Sequence, residues 1–323
     1  MTAAAVRTRG LTKRFGVRDS GVLAVDGLDL DIPAGSVFGL LGPNGAGKTT
    51  TIRMLTGLAR PTAGEASIDG VTVRPDDATI RRSIGLLDQA PRFYGWMTGR
   101  ELVEFSGRLT GLTGTMLRDR ASEVLERVGL SDVAGRRIAG YSGGMRQRLG
   151  IAAALAGEPS LVILDEPVSS LDPEGRRDLL ALVGELRADA TVIVSTHVLD
   201  DVERVCDRVA ILDQGRLVVT APLDELLTRY AAAAYRLEAT ATTDQAALGA
   251  LQRTLDGASW CAGVTTHGHE LVVAVRDETA AADDILPLIV TSGVRLIRFE
   301  RVRPSLEEVF LALVGHAPTE RVA

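Results

Sequence analysis

Cysteine and lysine are nearly missing from this chain of 323 residues. Cys206 and Cys261 are the only two thiols. They stand far apart and outside any paired motif, so they support neither a disulfide framework nor a zinc site, and both are expected as reduced thiols packed like small hydrophobes. Aromatic residues make up only 4% of the sequence. No apolar run approaches the roughly eighteen residues that cross a bilayer, and the opening MTAAAVRTRG lacks the apolar core of a signal peptide, which predicts a cytosolic chain. Positive charge is not in excess either: 36 Lys and Arg stand against 42 Asp and Glu, a net charge of -6. Proteins that bind nucleic acid usually present a basic face, so no nucleic-acid partner is expected. What remains, with 46% hydrophobic residues, suits one large globular domain and a smaller one.

The lysine shortage is itself informative. Only Lys13 and Lys48 are lysines, and almost every other cation is arginine, yet lysine closes GPNGAGK at residues 42–48. A compact ammonium suits that place, because a glycine-rich loop between a strand and a helix wraps backbone N–H groups around phosphate oxygens. The loop consists of Gly42, Pro43, Asn44, Gly45, Ala46 and Gly47. Lys48 would reach the β- and γ-phosphates, the Thr49 hydroxyl would ligate magnesium, and Thr50 would cap phosphate from the first helical turn.

Hydrophobic periodicity organises the rest. Alternation at Leu28, Leu30 and Ile32 predicts a half-exposed strand, and VFGLLG at residues 37–42 predicts one buried on both faces. A helix follows over 49–58, and EASIDGVTV predicts a hairpin turning at Asp69-Gly70. Further buried strands are expected at 84–87, 161–164, 192–195 and 209–212. Strands separated by helices imply a largely parallel sheet covered on its faces. Helical segments at 99–109 and 117–128 form an insertion, a helical subdomain at about 90–150. Beyond PLDELLTRYAAAA the rhythm changes to strand 234–239, helix 244–255, strands 261–266 and 270–276, helix 280–291 and strand 294–301. This βαββαβ order is that of a ferredoxin-like unit, with a further helix at 305–314. The expected domains are residues 1–230 and 231–323.

Two more stretches carry chemistry. In LVILDEP, four apolar residues deliver Asp165 and Glu166 to the carboxyl end of a strand, where ligands gather in open α/β sheets. Asp165 suits magnesium, and Glu166 suits a general base or water-orienting group, although two acids after an apolar strand are a weak signal alone. In YSGGMRQR, Ser142 is a good helix N-cap, and Gly143 and Gly144 permit close approach to an anion at the positive helix end.

In this order and spacing, residues from about 6 to 217 resemble the nucleotide-binding subunit of ABC transporters. GPNGAGKT resembles the Walker A loop, Gln89 the Q-loop glutamine, YSGGMRQR the family signature and LVILDEP the Walker B strand with its catalytic glutamate. SSLDP looks like the D-loop, with Asp172 in its acidic position, and His197 in VIVSTH looks like the switch histidine. Phe15 sits where the family places an aromatic that stacks on adenine. The resemblance implies a P-loop ABC cassette of α/β class, with a mostly parallel sheet, an antiparallel edge and a helical subdomain, followed by the small α+β domain. It implies ATP and Mg2+ as cofactors, with Thr49, Gln89 and Asp165 toward the metal and Glu166, His197, Gln89 and Lys48 as the catalytic set. It also implies a head-to-tail homodimer, each ATP held by the Walker loops of one chain and by Ser142, Gly143 and Gly144 of the other. Partnership with a membrane-spanning permease would place the chain on the inner face of the cell membrane. The ending RPSLEEVFLALVG resembles daunorubicin-resistance-type ATPases, which implies export. A soluble ABC ATPase or a small-molecule sensor without transport is the rival expectation. Around Gln89 the sequence departs from the family, since Asp88 replaces the frequent proline and Phe93, Tyr94, Trp96 and Phe105 gather nearby. Those rings are candidates for a socket that receives the permease.

Overall fold

Continuous apolar strands form the centre of the cassette because both of their faces are covered. The computed structural model describes residues 4–16, 21–75, 77–169, 171–229, 233–240, 242–302 and 306–315. Contacts divide the chain into two compact units, Met1–Leu223 and Asp224–Ala323.

The first unit opens with strands β1 (Ala4–Phe15), β2 (Val22–Pro33) and β3 (Val37–Leu41), then helix α1 (Lys48–Leu55). Strands β4 (Ala63–Ile68) and β5 (Val71–Thr72), helix α2 (Ala78–Arg82) and strand β6 (Ile84–Leu87) follow. Next come helices α3 (Gly99–Thr110), α4 (Gly114–Arg127) and α5 (Gly143–Leu155), then β7 (Leu161–Asp165), α6 (Pro173–Glu185), β8 (Thr191–Thr196) and α7 (Leu199–Val205). Strands β9 (Arg208–Asp213) and β10 (Arg216–Pro222) complete its sheets, and helix α8 (Leu223–Arg229) crosses the division.

Every residue of β3, β7 and β8 is buried, as strands between two layers must be. They lie in a six-stranded sheet of order β10-β9-β3-β8-β7-β6. All neighbours in it are parallel except the antiparallel pair β9 and β10. A separate antiparallel sheet, β2-β1-β4-β5, buries Val6, Leu11, Leu28, Leu30 and Ile32 in the same core as Phe38 and Leu40. Its β4–β5 hairpin turns at Asp69 and Gly70, both with positive φ. The helix expected over 49–58 stops at Leu55, because the Thr56 hydroxyl bonds back to Ile52 O and Gly57 adopts a left-handed φ of 69°. Reciprocal bonds between Thr98 and Glu101 start α3, and Gly111 in left-handed conformation ends it.

In the second unit, strand β11 (Ala233–Ala239), helix α9 (Gln245–Asp256), strands β12 (Cys261–His267) and β13 (Glu270–Val275), helix α10 (Glu278–Ser292) and strand β14 (Leu296–Val302) give the expected βαββαβ order. Helix α11 (Leu306–Gly315) follows. The sheet order is β12-β13-β11-β14 and every pair is antiparallel. Leu237, Leu271, Val273 and Val275 of the sheet share a core with Leu248, Leu251 and Leu255 of α9 and Ile285 and Ile289 of α10. Both cysteines are free and buried, and burial pushes each thiol above its ordinary pKa. No helix among the described residues is long and apolar enough to cross a membrane.

Each unit has one tryptophan, exposed Trp96 in the first and buried Trp260 in the second, so local unfolding has its own reporter. Leu237→Ala removes a fully buried side chain from an interior strand and is expected to destabilise the second unit by about 2–5 kcal/mol. Urea denaturation followed by Trp260 fluorescence in a Trp96→Phe background checks it, and an unchanged midpoint would contradict the core assignment.

Candidate functional site

Strand register decides which loops meet. Leu41 of β3 pairs with Thr196 of β8, Asp165 of β7 pairs with Ser195, and Leu87 of β6 pairs with Leu164. The glycine loop, the Asp165-Glu166 step, His197 and Gln89 therefore all leave the sheet at its carboxyl edge. A cleft of about 340 Å³ opens there, walled by residues 44–50 with Ala24, Gln89, Asp165 and Glu166.

The loop has its shape because two glycines allow close backbone approach. Gly42 has φ 152° and Gly47 φ 100°. A Cβ at Gly42 would lie 2.3 Å from Leu212 O, and one at Gly47 would lie 2.5 Å from Ala24 O. Gly215 N donates to Ala46 O at 3.1 Å, and Thr51 Oγ1 donates to Gly47 O at 3.0 Å, so the loop is braced from the β9–β10 turn and from α1. No side chain caps the start of α1. Its first N–H groups are thus free to receive an anion at the positive end of the helix dipole.

Lys48 is buried and donates to Gly42 O at 2.6 Å and Pro43 O at 3.2 Å. Burial lowers its pKa, while the carboxylates of Glu166 and Asp165 pull the other way and favour the ammonium. Thr49 Oγ1 donates to Asp165 Oδ2 at 3.0 Å. Burial raises the Asp165 pKa, partly opposed by the Ser195 hydroxyl and by that hydrogen bond from Thr49. Glu166 follows with a left-handed φ of 50°, and its N–H donates to Ser195 O at 2.8 Å. Its side chain is only 6% exposed and places Oε1 2.7 Å from His197 Nδ1, whereas the His197 side chain is 52% exposed. Facing an ionised carboxylate, which only accepts, His197 makes this contact by donating from Nδ1–H.

Thr49 and Asp165 are hard oxygen donors in contact, the type that suits magnesium. Among the described residues no group of three His, Cys, Asp or Glu side chains forms a metal cage. Gln89 lines the same cleft, its backbone N–H donating to Asp88 Oδ1 at 2.8 Å.

Other residues singled out in the sequence lie outside this cleft's walls. Ser142 Oγ accepts from Met145 N at 3.2 Å and caps α5, which begins at Gly143 and Gly144. Asp172 Oδ1 accepts from Gly175 N at 2.8 Å and caps α6, so its carboxylate is engaged in the helix start. Ser170, within the same SSLDP stretch, falls outside the described residues. Phe15 ends β1 with an exposed ring, and Lys13 Nζ lies 5.0 Å from its centroid. Sequence reasoning missed Ala24, whose carbonyl leaves no room for a Cβ at residue 47, and Ser195, whose carbonyl accepts from the Glu166 N–H and whose hydroxyl lies beside Asp165. No sequence signal marks a carbonyl role of this kind.

A second, larger groove of about 680 Å³ lies between β6, α3 and α5, with Gly85, Phe93, Leu102 and Leu109 among its walls. Of the four rings proposed for a socket, only Phe93 lines it. Tyr94, Trp96 and Phe105 are exposed, with the Tyr94 and Trp96 rings 5.7 Å apart.

Residues 25–169 match the family described as ABC transporter, and residues 222–314 match the one described as ATP-binding protein DrrA1-3-like, C-terminal domain. The chain is 37% identical over 321 residues to the daunorubicin/doxorubicin resistance ATP-binding protein DrrA of Streptomyces peucetius, covering 98% of this chain and 94% of that protein. It is 38% identical over 291 residues to the uncharacterized ABC transporter ATP-binding protein YxlF of Bacillus subtilis (strain 168), covering 90% and 94%. Among solved structures, a dimeric ATP-binding cassette in a post-hydrolysis state bound to ADP and Pi superposes with a TM-score of 0.62 at 28% identity, over 68% of this chain and 98% of that one. The chain belongs to the ABC transporter family, as an ATP-binding and ATP-hydrolysing subunit.

Proposed function

We propose that this ATPase subunit powers an ABC exporter of drug-like molecules by closing on ATP with a second copy of itself and parting after hydrolysis. The observation that carries the reading is the 2.7 Å contact of Glu166 with His197 beside Lys48 and the Thr49–Asp165 pair, all at one sheet edge. The uncapped start of α1 and the backbone of residues 44–47 cradle the phosphates. Lys48 exchanges its loop carbonyls for β- and γ-phosphate oxygens, which are charged acceptors and bind an ammonium more strongly. Thr49, Asp165 and Gln89 would hold magnesium, which would supply positive charge against the phosphate oxygens. Glu166 accepts the proton of the attacking water, or orients that water, as the bond between the γ-phosphorus and the ADP oxygen breaks. His197 holds Glu166 in place and directs its exposed side toward the γ-phosphate. Phe15 stacks on the base.

Ser142, Gly143, Gly144 and Asp172 stand outside the cleft of their own chain, which supports their supply to the site of a second copy. A γ-phosphate between the loop and the α5 start of the partner bridges two positive helix ends, and its release removes the bridge. The groove beside α3 supports docking of a short permease segment, since it combines apolar walls with access from solvent. Through that partner the chain sits at the membrane's inner face. Similarity to a daunorubicin/doxorubicin resistance protein over both units supports export of an amphipathic, drug-sized compound.

Glu166→Gln is expected to bind ATP, to slow hydrolysis about 10²- to 10⁴-fold, and to accumulate as an ATP-dependent dimer. Phosphate release and light scattering check it, and turnover near that of the unaltered chain would remove Glu166 from its role. Gly47→Ala drives a methyl group into Ala24 O at a backbone conformation unsuited to alanine. It should weaken binding of a fluorescent ATP analogue at least about tenfold, equivalent to 1.4 kcal/mol, while leaving Trp260 fluorescence unchanged. Leu109→Glu puts a charge on the exposed wall of the larger groove. Its expected outcome is normal ATPase activity of the isolated chain with loss of co-purification with the membrane subunit, and retained co-purification would refute docking there.

A further inference from the structure

Strand β14 is a sheet edge with an unusual character. Among the described residues it pairs with β11 alone, so its outer side presents backbone donors and acceptors without a strand to receive them. Sheets ordinarily blunt such edges, because a free edge templates another strand. Here Ile297 is 64% exposed and Phe299 is 36% exposed. Strand β14 is irregular at Ile297, which bulges opposite Glu238 and Ala239, so the regular part of its edge runs from Arg298 to Val302; the opposite edge, β12, carries a bulge between Cys261 and Gly263.

The charge pattern identifies the occupant. Arg236 of β11 contacts Glu270 Oε1 of β13 at 2.7 Å and Glu300 Oε1 of β14 at 3.3 Å. Arg298 lies 3.8 Å from Glu300. Sign thus alternates across the sheet from Glu270 to Arg236 to Glu300, and the row runs out at the β14 edge, where the next member must be positive.

A second copy of the same strand supplies it in one register only. In an antiparallel pair, hydrogen-bonded and non-hydrogen-bonded positions alternate. Two identical strands related by a two-fold axis must therefore place that axis on a residue, since equivalent pairs cannot be of different kinds. An axis at Arg298 or at Glu300 puts like charges face to face. With the axis at Phe299, Arg298 faces Glu300 of the partner subunit, the partner's Arg298 faces Glu300, and the two Phe299 rings meet. We propose that β14 of one copy pairs with β14 of a second copy about Phe299, joining the two C-terminal sheets into one continuous sheet. This interface needs no nucleotide, and so it is separate from closure on ATP. Two small units that bury little surface alone gain a shared edge, and the two copies stay within reach of each other between ATP cycles.

The test uses the full chain without nucleotide, in a concentration series followed by sedimentation velocity. Arg298→Glu and Glu300→Arg each place like charges at both facing pairs, so each variant alone should dimerise about tenfold more weakly than the unaltered chain. Mixed together, they face Glu with Arg at both pairs, and the mixture should regain the lost dimer. Glu300→Arg also disturbs the internal contact with Arg236, so retention of its Trp260 fluorescence is measured alongside. Phe299→Cys should form a symmetric disulfide on oxidation, because facing Cα atoms in such a pair stand about 4.5–5.5 Å apart, within disulfide range. Ile297→Cys should not, since Ile297 lies at the bulge and away from the axis. Equal cross-linking at both positions, a chain that stays monomeric throughout the series, or a mixture no more dimeric than its components would each overturn the pairing. Loss of ATP-dependent dimerisation in Glu166→Gln with the edge contact intact would instead count against the nucleotide-closed dimer alone.

Discussion

The register between β3, β8 and β7 is the constraint on which the rest depends. Parallel pairing of Leu41 with Thr196 and of Asp165 with Ser195 ends these strands level with one another. Groups far apart in sequence are thereby delivered to one edge: the ammonium of Lys48, the carboxylates of Asp165 and Glu166, and the imidazole of His197. A slip of one residue between β7 and β8 would turn Asp165 to the other face of the sheet and separate it from Thr49. Both strands are buried on each face, so such a slip would also displace every neighbour of their fully buried residues. Core packing and catalytic geometry are therefore specified by the same hydrogen bonds.

Every charged group of the cleft has a partner inside the chain. Lys48 bonds to two loop carbonyls, Asp165 to the Thr49 hydroxyl and Glu166 to His197. An unpaired buried charge would cost several kcal/mol, about the stability left to many whole domains. The partners are also of a kind that phosphate and magnesium replace without a large movement. A neutral carbonyl yields an ammonium readily to a phosphate oxygen, and a hydroxyl touching a carboxylate already holds two hard donors together. Satisfaction of the core and readiness for the substrate are one arrangement.

Much of this was legible in the sequence, for a physical reason. VFGLL, LVILD and TVIVST read as strands because burial on both faces demands continuous apolar residues, and GPNGAGKT declared itself because few residues other than glycine tolerate its backbone. Strand β1 was not legible. Its inward face carries Val6, Thr8 and Leu11, and Thr8 is a buried hydroxyl made tolerable only by Leu28 O and Leu30 N. Gly10 with φ 55° then breaks the alternation, and Arg7, Arg9, Lys13 and Arg14 make the rest of the strand strongly polar. Within the site, residue types could be assigned but contacts could not. Glu166 and His197 are 31 positions apart and meet only through the β7–β8 register. Asp172 read as an acid belonging to the nucleotide motifs, and within its own chain its carboxylate also starts α6. Helix capping and phosphate chemistry select the same residue types, so sequence alone does not separate them.

Glu166 shows how far the chemistry overrides local preference. A non-glycine residue at a φ of 50° carries a penalty of about 1 kcal/mol, and a long acidic side chain has no intrinsic reason to be there. Glycine would relieve the backbone, and asparagine would tolerate it better. The conformation persists because it is fixed from three sides: the Glu166 N–H on Ser195 O, Ser169 N on Glu166 O, and the carboxylate on His197. That fixation gives the strain a use. A relaxed residue at the end of β7 would continue outward from the sheet, while the left-handed turn reverses the chain at once and starts the stretch that leads to α6. One strained residue therefore seats the acid against the histidine and launches the segment whose helix begins with Asp172.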